Sequence, residues 1–540
     1  MARRRKHWGW GYADEEPTPD QLRAAAAGIA PALGFGSPDP ELPVALEAVT
    51  LPPPRLNLPA GLAGICSTDV HDRASHAYGK AYRDLVRGFR GRFDHPPDVV
   101  AFPGHERELE ALLEWCERAG AAVVPYGGGT SVVGGLEVAP QEARSGVVSV
   151  DLGRLDRVLE VDATSRAARI QAGAAGPVLE AQLAEHGLTL RHFPQSFQFS
   201  TLGGWIATRA GGHFATLYTH IEDLVESVRA LTPRGAWESR RLPGSGAGVS
   251  PDRMLAGSEG TLGVITEAWV RVQPRPTERS SAGVRFGSFP AGAEAVREIS
   301  QAGLHPSNCR LIDAAEAALT SGGDGRHSLL VLGFESADHP VGPWMARALE
   351  LCARHGGAWD QVSGGAGRQG PVGAWREAFL RAPYLRDTFV AMGVLSETFE
   401  TAITWDRLES FHATASGAAL EAVREQCGAG SVTCRFTHVY PDGPAPYFTI
   451  LAPTRPGEEL DQWQAIKRAA SDAVIAAGGT ITHHHAIGRD HRPWYDRQRP
   501  DPFAAALRAA KAAVDPAGIL NPGVLIDPAT APEPAAGVAG

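Results

Sequence analysis

Eleven residues constrain this chain more than any others: Pro125-Tyr126-Gly127-Gly128-Gly129-Thr130-Ser131-Val132-Val133-Gly134-Gly135. They follow a short apolar strand, Ala121 to Val124. A chain that leaves a strand into three consecutive glycines can bring its backbone very close to a ligand. Without Cβ atoms it can adopt positive φ, and successive N–H groups can then converge on an anion such as a pyrophosphate. The string is neither G-x-G-x-x-G nor G-x-x-x-x-G-K-[ST], so the two commonest nucleotide-loop readings do not apply. On the glycines alone, a surface turn is an equal reading.

The 540 residues are too many for one core. A net charge of −10 argues against a nucleic-acid binder, which would show a basic surface. The basic run Arg3-Arg4-Arg5-Lys6 is expected to be a solvated tail, with a weak grip on anionic lipid as the alternative. No stretch approaches ~18 consecutive apolar residues, and the start lacks the apolar core of a signal peptide. Cys66, Cys116, Cys309, Cys352, Cys427 and Cys434 show no C-x-x-C spacing, which suits reduced thiols in a cytoplasm.

Periodicity divides the chain into five expected parts: a helical and extended region (1–94), an α/β region (95–276), a second mixed region (277–495), a closing helical segment (496–527) and a Pro/Ala-rich disordered tail (528–540). In the first part, Asp72 to Phe93 reads as one helix, with Tyr78, Tyr82, Leu85, Val86 and Phe89 spaced by three or four. In the second, Asp98 to Phe102 is a strand, Glu106 to Ala119 an amphipathic helix closed by Gly120, and Ala121 to Pro125 the next strand. This compact βαβ unit delivers the glycine loop. Ser363 to Gly373 reads as a wide loop.

The glycine loop, Pro194 to Ser200, Leu202 to Ala210, Gly257 to Ile265 and the Val514-to-Gly523 ending together resemble the FAD-linked oxidases of the vanillyl-alcohol oxidase type. Trp8 to Tyr12, Ile221 to Val225, Thr232 to Gly235, Gly333 to Ser336, Ser396 to Thr401 and His483 to Gly488 narrow the likeness to the alkyldihydroxyacetonephosphate synthase family. Gly212 to Thr216 depart from that pattern. The resemblance implies an α+β chain. It would comprise an FAD-binding fold of two α/β subdomains, a C-terminal α+β cap that binds substrate, and an N-terminal helical extension. It also implies exchange of the acyl chain of acyl-dihydroxyacetone phosphate for a fatty alcohol with no net redox change. The alternative is an FAD-linked dehydrogenase or oxidase of a D-2-hydroxy acid such as D-lactate.

Carried over residue by residue, the flavin contacts are Pro125, Tyr126, Gly127, Gly128, Gly129, Thr130 and Ser131, then Pro194, Gln195, Ser196, Phe197, Gln198, Phe199 and Ser200. Ala207, Thr208, Arg209 and Ala210 follow, with Glu259, Gly260, Thr261, Leu262, Gly263, Val264 and Ile265. No histidine lies between Glu106 and Glu185, where some relatives attach FAD covalently, so noncovalent FAD is expected.

Arg386 and Arg310 fall on the family's substrate-contacting and activity-linked arginines. A planar guanidinium suits phosphate or carboxylate, although Asp387 or Asp313 could instead make each a plain ion pair. Tyr447 falls on the acid/base tyrosine. A phenol of pKa ~10 needs nearby positive charge to act near neutrality, and the bland reading is an aromatic on a buried strand. His483, His484 and His485 read as the start of a strand, with His483 and His485 sharing one face and His484 on the other. Imidazoles there would move protons and bind substrate, with structural histidines or a zinc site as alternatives, and no metal is expected. The partners expected are a phospholipid-type substrate and a fatty alcohol. Peripheral contact with a membrane from the cytoplasm and a homodimer are also expected.

Overall fold

The strand Ala122–Tyr126 lies at one side of a four-stranded sheet ordered Cys66–Ser67, Val99–Ala101, Val147–Asp151, Ala122–Tyr126, whose last three strands are parallel. The computed structural model describes residues 3–364 and 370–527, the side chains of 370–376 and 378–380 excepted. The expected disordered tail at 528–540 lies outside the described residues.

The helix Glu106–Ala119 joins the two outer parallel strands as its periodicity predicts. It buries Leu109, Leu112, Leu113 and Cys116, and Gly120 ends it at φ 64°. Five antiparallel strands form the second sheet, ordered Val158–Asp162, Ala167–Gln171, Val264–Arg271, Val225–Thr232, Gly235–Glu238. The short helix Leu202–Thr208 packs over it, and Thr201 caps that helix by accepting from Gly204 N.

A seven-stranded sheet builds the C-terminal half: Val362–Gly364, Glu278–Phe286, Ser328–Ser336, Asn308–Ile312, Ser431–Val439, Pro444–Pro453 and Val394–Glu400. Helices Phe289–Gln301, Gly342–Arg354, Leu408–Cys427 and Glu459–Ala476 bury their apolar stripes in the core around it.

Four expectations need correction. The basic run is no solvated tail, because Lys6 is buried against Asp387 and Arg5 donates to the carbonyls of Gly128 and Phe199. The single helix from Asp72 to Phe93 is two, Val70–Ser75 and Tyr82–Phe89. Between them the backbone turns to meet the glycine loop. Lys80 N donates to Ser131 O at 2.6 Å, and a Cβ on Gly79 would sit 2.2 Å from that same oxygen. The wide loop from Ser363 is in part regular structure, since Val362–Gly364 is a strand and Gly370–Ala391 a helix. The histidine run is not a strand, and its geometry is given below.

The chain's end returns to the free edge of Ala122–Tyr126. Val123 N donates to Ile519 O and Asn521 N donates to Val123 O, both at 2.8 Å. A buried ammonium pins this return. Lys511 Nζ donates to Thr261 O (2.7 Å), Asp515 Oδ2 (2.6 Å) and Leu520 O (2.6 Å). Lys511→Met would strand a buried carboxylate and two carbonyls. A loss of about 3–5 kcal/mol is expected, read from the urea unfolding midpoint.

Candidate active site

The glycine loop forms one wall of a cavity of about 570 Å3 between the two smaller sheets and the large one. All three glycines are required by contact, and Gly129 by conformation as well. A Cβ on Gly127 would meet Thr201 Oγ1 at 2.3 Å, one on Gly128 would meet Phe199 O at 2.1 Å, and one on Gly129, at φ +65°, would meet the Tyr126 hydroxyl at 2.0 Å. Among the described residues, the N–H groups of Gly128, Gly129 and Thr130 have no acceptor. They are therefore available to a ligand's anionic oxygens. Asn521 closes the cradle. Its amide donates to the carbonyls of Gly135 and Glu259, while its Oδ1 is buried with no partner. The unpaired N–H donors suit the anionic oxygens of a dinucleotide's diphosphate, and the unpaired Asn521 Oδ1 offers an acceptor to a donor on the same ligand.

At the other end of the cavity, the large sheet presents Arg310, Arg435 and Tyr447 from its strands, while Arg386 reaches in from the helix Gly370–Ala391. Asp387 and Asp313 do not neutralise the two expected arginines. Asp387 pairs with Lys6 and accepts from Trp10 N, and Asp313 caps the helix Ala314–Ser321 through Glu316 N. Arg386 donates instead to the carbonyls of Lys80 (3.1 Å) and Ser396 (3.3 Å), and Arg310 to His213 O (3.1 Å). Burial and the neighbouring Arg435 charge lower the Arg310 pKa to about 10, which still leaves a cation at neutral pH. The Nε–H groups of Arg386 and Arg435 are buried without an acceptor among the described residues. Such donors favour an anionic ligand.

Tyr447 lies on Pro444–Pro453, with the Arg435 guanidinium 3.9 Å from its ring centroid. Its ring lies 5.6 Å from that of His485 and 6.4 Å from that of His484. The histidines take their shape from Glu400, which is 1% exposed. Its carboxylate accepts from the N–H groups of His483 (2.7 Å), His484 (3.1 Å) and His485 (2.9 Å), and from the Thr482 hydroxyl. Gathering three successive amides around one carboxylate excludes a β-strand. Strand alternation therefore fails: His484 and His485 both line the cavity, and His483 turns away to Tyr440. Burial would raise the Glu400 pKa, but the adjacent imidazoles hold it well below the usual range. Burial pushes His485 down to about 3.

Family models match at both ends of the chain: an FAD binding domain over residues 97–239 and the C-terminal domain of FAD linked oxidases over 275–525. The chain is 32% identical over 487 residues to an alkyldihydroxyacetonephosphate synthase of Trypanosoma brucei brucei, covering 85% of this chain and 78% of that protein. This chain belongs to the alkyldihydroxyacetonephosphate synthase family. A synthase of Dictyostelium discoideum is 30% identical, covering 84% of this chain and 77% of that protein. A solved alkyldihydroxyacetonephosphate synthase structure superposes with a TM-score of 0.78 at 25% identity, over 96% of this chain and 98% of that one. FAD is the cofactor, and the α+β fold is the vanillyl-alcohol oxidase type with a C-terminal cap.

Within this family member, the cavity gathers most but not all of the expected flavin contacts. Pro125 to Ser131, Pro194, Gln195, Ser196, Ser200, Ala207, Thr208, Ala210, Glu259, Gly260, Gly263 and Ile265 line it. Phe197, Gln198, Phe199, Arg209, Thr261, Leu262 and Val264 do not. Phe199, Leu262 and Val264 are core residues, Gln198 accepts from Tyr384, and Arg209 forks onto Glu222. Sequence reading missed Trp205, Leu152, Arg435, His438 and Asn521, which line the same cavity. Trp205 and Asn521 stood inside motifs already singled out. Arg435 and His438 carried no local signal, because strand pairing alone places them beside Tyr447.

Proposed function

We propose that this chain exchanges the acyl chain of an acyl-dihydroxyacetone phosphate for a fatty alcohol at the arginine-lined end of the cavity. The observation that carries the reading is the pair of buried guanidinium Nε–H groups without acceptors, set beside Tyr447 in the FAD cavity. A phosphate monoester satisfies both, and Arg310 adds a third cation.

Bound FAD, held noncovalently, would supply the ring nitrogen that bonds to substrate carbon without net electron transfer. The chain's own groups do the rest. Arg435, packed on the Tyr447 ring, sets a cation beside the one phenol on this stretch of the cavity wall, and Tyr447 is the group assigned to take the substrate proton. The Tyr447 hydroxyl has no partner among the described residues and is free for substrate. His484 and His485 provide further proton-transfer groups on the same wall. The cavity then runs to Ile29, Leu33, Leu319, Leu385 and Phe389, an apolar mouth suited to an acyl or alkyl chain. Leu319 and Leu385 are exposed there, which supports peripheral contact with a membrane.

Incubation with acyl-dihydroxyacetone phosphate and labelled hexadecanol is expected to yield a labelled ether lipid. Absence of that product from flavin-loaded protein rejects the reading. Anaerobic bleaching of the flavin by D-lactate would favour the dehydrogenase alternative.

A further inference from the structure

The three histidines are not equivalent, and a chain of hydrogen bonds running away from the cavity says which nitrogen can accept a proton. It begins at a group that can only accept. His220 Nε2 lies 2.9 Å from the carbonyl oxygen of His483, so that nitrogen carries hydrogen. Burial lowers the His220 pKa, so at neutral pH its other nitrogen is bare. The Thr219 hydroxyl, 3.2 Å from His220 Nδ1, must therefore donate to it. Thr219 Oγ1 then has only lone pairs to offer Tyr440, 2.8 Å away, and the Tyr440 hydroxyl donates. The Tyr440 oxygen in turn accepts from His483 Nε2–H at 2.6 Å. Burial keeps His483 neutral too, which leaves its Nδ1 bare. His484 Nδ1, 3.0 Å away, is the donor to it.

Every link has one polarity, and the last link is on the cavity wall. Glu400 Oε2, 3.3 Å from the same His484 Nδ1, favours hydrogen on that nitrogen as well. The other nitrogen, Nε2, has no partner among the described residues.

We propose that His484 keeps its fixed proton on Nδ1 and exchanges substrate protons through Nε2, with His220, Thr219 and Tyr440 as positioning residues that set this tautomer. The proposal rests on the exchange reading of the cavity. It separates His484, which transfers protons at the cavity, from His483, a relay residue that faces away, and leaves His485 as the second histidine on the cavity wall. A rival arrangement exists, since ring nitrogens of His438, His483 and His484 lie within 4.8 Å of one another and could hold a metal ion. A metal on His484 Nδ1 would displace the proton assigned there.

The test is 15N NMR of histidine-labelled, FAD-loaded protein, with His484→Ala to assign the resonances and elemental analysis of the same sample. Expected are a protonated, pyrrole-type Nδ1 and a bare, pyridine-type Nε2 at His484, with no stoichiometric metal. Tyr440→Phe should mix the tautomers of His483 and lower kcat about tenfold, part of the ~10²–10⁴ that a general base contributes, with KM for the lipid little changed. Thr219→Val, one link further along, should do the same, which keeps the test available if Tyr440→Phe does not fold. Hydrogen on His484 Nε2, one metal per chain, or both variants turning over at the wild-type rate would overturn the proposal. Ether product with hydrogen on Nε2 rejects this proposal alone. No ether product with hydrogen on Nδ1 rejects the exchange reading and leaves the proton placement standing.

Discussion

Gly128→Ala is expected to yield a folded protein that has lost its yellow colour. The added Cβ would lie 2.1 Å from Phe199 O, 2.7 Å from Phe199 C and 2.8 Å from Ser200 Cα. All three are backbone atoms, so no side chain can rotate aside. Relief requires the glycine loop and the 194–200 segment to part, and both segments line the cavity. Arg5 resists the parting, because its guanidinium ties the carbonyls of Gly128 and Phe199 together. A strain of about 3 kcal/mol, taken out of cofactor binding, weakens FAD affinity about a hundredfold. The comparison is Gly287→Ala, where a Cβ meets nothing within 4 Å and flavin content should not change. Visible absorbance per protein after reconstitution reads both. Full flavin content in Gly128→Ala would show that the loop does not grip the cofactor.

Tyr447→Phe is expected to keep its flavin and lose most of its turnover. The ring stays packed against Arg435, so a purely structural role predicts little change in either property. A proton-transferring hydroxyl predicts a fall in kcat of ~10²–10⁴-fold with KM for the lipid nearly constant. The same logic separates Tyr447 from Tyr440, whose hydroxyl is buried in the relay and whose loss costs about tenfold. Retention of kcat within about twofold in Tyr447→Phe would move the acid/base role elsewhere on the cavity wall.

What could be read in the sequence follows the range of the physical signal. The helix Glu106–Ala119 and the strand before the glycines were legible because 3.6-residue periodicity, a terminal glycine and a β-rich run are all local. The break between Val70–Ser75 and Tyr82–Phe89 was hidden, since it is imposed by Ser131, about fifty residues away, on a pattern that is otherwise helical. The basic run misled for a similar reason. Charge at a terminus usually means solvent, but here Asp387 and the loop carbonyls supply buried partners from distant sequence.

At the site, Arg310, Arg386, Tyr447 and the histidines were found through resemblance, and the structure brings all but His483 onto one cavity wall. The error over the histidines was one of backbone geometry. Alternation assumes a ladder of hydrogen bonds to a neighbouring strand, whereas these amides are taken by the carboxylate of Glu400. Glu400 itself stood in the recognised stretch Ser396 to Thr401 without an evident task. Its role emerges only when Val394–Glu400 is seen to end beneath the histidine turn.

The proposed reaction swaps one chain for another on a phosphate-anchored substrate while electrons stay where they began. The most direct measurement is therefore a balance taken during turnover, under anaerobic conditions, of fatty acid released, alcohol incorporated and flavin colour. One fatty acid freed for each alcohol incorporated, with the oxidised flavin spectrum restored as substrate runs out, is the predicted result. Lasting bleaching of the flavin, or fatty acid released without alcohol taken up, would contradict it.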